Sequence, residues 1–149
     1  MRDLMQAIIS DEPRHWDRNE PAQPDAIAQC ISDLGIASLP LSYVEFLSLS
    51  NGGEGTLGVD PGWFQLWPCE ELSEVQQLYH MTEELPGFLA IGSNGGGELL
   101  AFDTRNGEPW AVCMIPFITM EVAEAIQIAP DFDTFVTYLG IEASEAKLN

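Results

Sequence analysis

The chain has 149 residues, of which 24 are acidic and five basic, for a formal net charge of −19 at pH 7. A surface of that sign repels nucleic acid and anionic membranes and attracts basic proteins at long range, although negative charge also serves solubility alone. The 46% hydrophobic content, with seven Phe, four Trp and three Tyr, is enough for a proper core and excludes a disordered chain.

In chain order, Leu4, Met5, Ile8 and Ile9 fall at helical spacing, so residues 3–10 read as a short amphipathic helix. Residues 11–24 contain Pro13, Pro21 and Pro24 among polar groups and read as an irregular connector. Ile27, Cys30, Ile31 and Leu34 lie at i, i+3, i+4 and i+7, with Gly35 placed to supply a left-handed C-cap. Another helix opens near Pro40, buries Tyr43, Phe46 and Leu47, and stops at Asn51-Gly52-Gly53.

Residues 63–67, rich in Trp and Phe, read as a strand. Pro68 opens a helix with Glu70 and Glu71 in its first turn, where they complement the dipole, and with Leu72, Val75 and Tyr79 on its buried face. Residues 88–92 and 98–103 flank Ser93-Asn94-Gly95-Gly96-Gly97 and read as a β-hairpin. Asn106-Gly107 turns the chain into a strand over 110–115. Asp131 caps a closing helix that buries Phe132, Phe135, Val136 and Leu139 and ends at Gly140, and residues 141–149 form a polar tail. This order predicts one α+β domain over 1–149, a mostly antiparallel sheet with helices packed on one side.

Between Arg18 and Arg105 there is no Lys or Arg, so few of the carboxylates in that stretch can find a cation within the chain. They must be solvated, held at helix N-termini, or kept for an outside partner. Three widely spaced cysteines, Cys30, Cys69 and Cys113, without a paired motif read as reduced, mostly buried thiols of a cytoplasmic protein. The opening residues lack the apolar run of a secretory signal, and no segment is long enough to span a membrane.

Catalytic chemistry has little to work with. The histidines, His15 and His80, have no ligand-spaced neighbours, and His80 reads as a surface residue at a helix end. The single lysine, Lys147, lies in the tail, and no nucleophile elbow is present. Gly92 to Glu98 lacks the Gly-Lys-Ser/Thr ending of a phosphate loop and reads as a turn. The pairs Glu70-Glu71 and Glu83-Glu84 and the Asp131-Phe132-Asp133 run show no convergent constellation. The reading is therefore of a non-enzyme without metal or cofactor, and Trp63, Trp67 and Trp110, without basic neighbours, do not form a nucleic-acid platform.

An ordered set of motifs resembles the SUKH superfamily of Smi/Knr-like proteins. It comprises Leu39-Pro40-x-x-Tyr43-x-x-Phe46-Leu47, Ser50-Asn51-Gly52-Gly53-Glu54-Gly55, Phe64-x-Leu66-Trp67-Pro68 with Glu70-Glu71-Leu72, the hairpin from Leu89 to Asp103, and Ala129-x-x-Phe132-x-x-Phe135. The resemblance runs from about Leu39 to Gly140, and residues 119–128 fit it less clearly. It implies an α+β fold and, as in many bacterial members, an immunity protein that blocks a cognate toxin, here a basic nuclease. Eukaryotic members are regulatory or scaffolding modules, which is the alternative role. The family supplies no catalytic residue, so the partner-binding residues are taken from charge: Glu54, Asp60, Glu70, Glu71, Glu83 and Glu84, each of which has a solvated rim as its plainer reading. No residue pattern decides between a monomer and a weak two-fold contact through a sheet edge.

Overall fold

A computed structural model describes residues 2–11 and 13–142, so the tail from Ala143 onward, Lys147 included, lies outside the described residues, as do the side chains of Arg2, Asp3 and Leu4. The chain begins with α1 (Arg2–Ser10), β1 (Trp16–Arg18), α2 (Pro24–Leu34), α3 (Leu41–Leu49), β2 (Gly53–Thr56) and β3 (Trp63–Leu66). A 3-10 turn (Cys69–Glu71), α4 (Leu72–Leu78) and α5 (Met81–Glu84) lead to β4 (Phe88–Ser93), β5 (Glu98–Asp103) and β6 (Ala111–Pro116). A second 3-10 turn (Val122–Glu124), β7 (Ile126–Ala129) and α6 (Phe132–Val136) follow. All seven strands form one antiparallel sheet in sequential order, β1 to β7, as the α+β reading requires.

Strand alternation divides the side chains between two faces. Trp16, Phe64, Leu66, Leu89, Ile91, Leu100, Phe102 and Val112 point to the face covered by α1, α2, α3 and α6. At its centre Tyr43, Phe102 and Phe132 meet edge-on with ring centroids 5.0 to 5.9 Å apart. Each such ring contributes roughly 1.5–3 kcal/mol through burial, with a further gain from edge-to-face geometry. The opposite face of β4, β5 and β6 carries a smaller cluster of Phe88, Ala90, Leu99, Ala101, Cys113 and Ile115. Met81 of α5 and Leu85, just past its end, cover it, together with residues of the β6–β7 connection such as Phe117 and Val122.

The excursion between β3 and β4 takes the place of a longer strand. β3 pairs with β4 only at Gln65–Ser93 and Leu66–Gly92. Farther along β4, the Gln76 side chain of α4 takes over. Its Nε2 donates to the Ala90 carbonyl at 2.8 Å, and the Ala90 N–H donates to its Oε1 at 2.9 Å. A side-chain amide thus satisfies the backbone groups that a neighbouring strand would otherwise claim.

Three strands fall where the sequence reading had none. β1 lies inside the proline-rich connector 11–24, whose last residue, Pro24, is already the first residue of α2. β2 follows at once on the Asn51-Gly52-Gly53 turn, and β7 occupies part of the 119–128 stretch. β2 reads Gly-Glu-Gly-Thr because β1 crosses so closely that a Cβ on Gly55 would collide with the Trp16 side chain. The helices expected over 68–79 and 131–140 are also shorter, each breaking into turns at its end.

Candidate partner-binding surface

Arg14, Arg18 and Arg105 are engaged within the fold. Arg14 pairs with Asp11 at 3.2 Å and donates to the carbonyls of Thr137 and Leu139 at 3.1 and 2.8 Å. Arg18 donates to the carbonyls of Ile9, Asp11 and Trp16 at 2.7 to 2.8 Å, with its guanidinium 4.6 Å from the Trp16 ring centroid. The two side chains thus satisfy carbonyls left over at the end of α1 and in the turn behind α6, where a positive charge is favourable. Arg105 grips Asp103 through two bonds of 2.9 Å, which holds the Asp103 carboxyl below its usual range, and lies over the Phe88 ring.

None of these arginines pairs with Glu54, Asp60, Glu70, Glu71, Glu83 or Glu84, and all six of these residues are exposed. They ride on separate elements. Glu54 projects from β2 and accepts a hydrogen bond from Gln65 Nε2 at 3.1 Å. Asp60 sits in the β2–β3 loop, and Glu83 and Glu84 lie on α5. Glu70 and Glu71 belong to the 3-10 turn before α4.

Glu70 also has a place in the architecture. Asn51 Nδ2 donates to its carboxylate at 2.7 Å while Asn51 Oδ1 accepts the Cys69 N–H at 2.8 Å. The Asn51 bond, ahead of the smaller effects of its own backbone and of Cys69, lowers the Glu70 pKa. So Glu70 is a hydrogen-bonded part of the turn as well as a surface charge.

Sequence reasoning did not find a second acidic concavity, of about 520 Å³, where the N-termini of α3 and α6 meet the β5–β6 connection. Pro40, Leu41 and Trp110 give it an apolar lining, and Glu108, Asp131 and Asp133 give it charge. Leu41 is 72% exposed there. Asp131 also acts as the helix cap expected of it, accepting the Thr134 N–H at 2.7 Å. The signal available in the sequence was that Leu41 falls off the Tyr43–Phe46–Leu47 stripe.

The thiols are poor nucleophiles. Cys30, Cys69 and Cys113 are unpaired and buried. Burial is the chief cause that pushes their pKa values up to about 11, 12 and 11. A thiol so shifted stays protonated at neutral pH. Among the described residues no group of three or more His, Cys, Asp and Glu is placed to hold a metal ion, and no helix is long and apolar enough to cross a membrane.

A model of the SMI1 / KNR4 family (SUKH-1) matches residues 21–137. The matched stretch contains α2, α3, α6 and the sheet from β2 to β7, whereas α1 and β1 precede it. No curated protein matches the chain.

Proposed function

The chain belongs to the SMI1/KNR4 family (SUKH-1), and from that premise we propose that it is an immunity protein acting in the cytoplasm as a single domain. It binds one cognate toxin, a basic nuclease, and neutralises it by occupying the substrate groove in a stoichiometric complex. It carries out no chemistry of its own and takes no cofactor. The observation that supports this reading best is the excess of solvent-facing carboxylates on a fold in which Arg14, Arg18 and Arg105 are already engaged. Such a surface speeds encounter with a cationic groove through electrostatic steering. Lasting affinity then comes from a few buried anchors rather than from rim charges.

The test is capture of partners by the tagged chain from lysate of the organism that carries its gene, washed at rising salt. The reading predicts one basic protein at equal stoichiometry, toxic when expressed alone. Several partners lost at modest salt and harmless when expressed would replace it with a scaffolding role.

A further inference from the structure

The smaller apolar cluster covers β4, β5 and β6 but leaves the same face of β1, β2 and β3 outside it. Trp16, Phe64 and Leu66 point into the main core, so their strand neighbours Asp17, Glu54, Thr56, Trp63 and Gln65 point the other way. Register sets Asp17 directly opposite Glu54, and Glu54 directly opposite Gln65. Side chains paired in this way stand roughly 4.5–5.5 Å apart at Cβ, and like charges there repel. Arg18, next in sequence to Asp17, is turned away over the Trp16 ring, bonds to the carbonyls of Ile9, Asp11 and Trp16, and forms no ion pair with either carboxylate.

Aromatic side chains border the carboxylates. Asp17, Glu54, Gln65 and Trp67 line a concavity of about 250 Å³. Trp67 is braced from behind by Tyr79, with ring centroids 6.2 Å apart. Trp63, two residues before Gln65 on the same strand face, is 40% exposed. Gln65 holds the Glu54 carboxylate in place, so one half of the acidic pair is already oriented.

We propose that this β1–β3 face receives an arginine-bearing segment of a basic partner protein. The guanidinium bridges Asp17 and Glu54 and stacks on the Trp67 indole. Arginine fits better than lysine, because its planar fork can donate to two carboxylates while its face lies on an aromatic ring. Bridging also removes a repulsion that the free protein bears. The identification of that partner as a toxin rests on the immunity reading; the face itself does not.

The experiment titrates the full-length chain with a hexa-arginine peptide, followed by NMR. Expected are shifts concentrated on Asp17, Glu54, Gln65 and the indole N–H groups of Trp63 and Trp67. The double substitution Asp17→Asn/Glu54→Gln should weaken binding by roughly tenfold and raise the melting temperature. Glu121→Gln/Glu124→Gln, which removes as much charge from an exposed segment elsewhere, should weaken it far less. Equal weakening by both pairs, shifts centred on another surface, or a lower melting temperature for the first pair would overturn the proposal. The titration involves no toxin, so the two readings fail separately. Full toxin neutralisation by Asp17→Asn/Glu54→Gln sinks this face alone, and localised peptide binding by a chain that captures no toxin sinks the immunity reading alone.

Discussion

Asn51 and Glu70 are joined side chain to side chain at 2.7 Å, across the gap between the end of α3 and the turn that opens the β3–β4 excursion. The same Asn51 accepts the buried Cys69 N–H, so one amide ties the two segments twice. Asn51→Ala should therefore cost about 1–3 kcal/mol, the range for leaving a buried donor unpaired, in a urea titration. The pH dependence has a definite sign. Glu70 is held below its ordinary pKa, so its contribution is complete above the ordinary glutamate range and is lost as the pH falls through the lowered value. The stability gap between wild type and Asn51→Ala should narrow in acid, and a gap constant from neutral pH to pH 3 would contradict this assignment.

Arg18 fastens α1 to β1 through three carbonyls and a stacked indole. Arg18→Ala should lose roughly 2–3 kcal/mol, and Arg18→Lys should recover little, since an ammonium cannot reproduce the fork or the stacking. Hydrogen exchange should show the loss first in α1 and β1. Protection lost evenly over all seven strands would count against a local role.

Gln76 takes the place of a strand beside Ala90. Gln76→Leu keeps the bulk but leaves a backbone N–H and C=O of β4 unpaired, at a cost of about 1–3 kcal/mol. Gln76→Glu should cost nearly as much at neutral pH, because a carboxylate can accept from the Ala90 N–H but has no proton for its carbonyl. Equilibrium unfolding of the two variants checks this.

The three thiols should resist alkylation in the native protein even at pH 8 and react fully once it is unfolded in guanidinium, because they are both buried and held protonated. Rapid labelling of a single native thiol would place that cysteine at the surface.

How far the sequence revealed the fold depended on how local each signal was. The helix over Ile27 to Leu34 was readable because its apolar spacing and its cap were both local, and Gly35 indeed takes φ +70° with its N–H on the carbonyls of Ile31 and Ser32. The 98–103 strand was readable from its apolar run and the flanking turn. β1 and β2 were not. Trp16-Asp17-Arg18 and Gly53-Glu54-Gly55-Thr56 carry weak strand propensity, and they pair because Trp16 packs between Phe46 and Phe64 across a glycine strand. β7 is another edge, and its Ile-Gln-Ile-Ala run, half of it exposed, is too short to stand out as a strand. Of the candidate site, the sequence disclosed the charge but not its grouping. Asp17 lies in a segment read as connector, so its position opposite Glu54 depended on a strand the sequence did not reveal.

Stoichiometric neutralisation of a basic toxin can be read off by titrating the captured partner's nuclease activity with the purified chain. Expected is a linear fall to zero with a sharp break at one equivalent at low salt, and a softer break as salt rises. A partner that stays fully active in the presence of excess chain would contradict it.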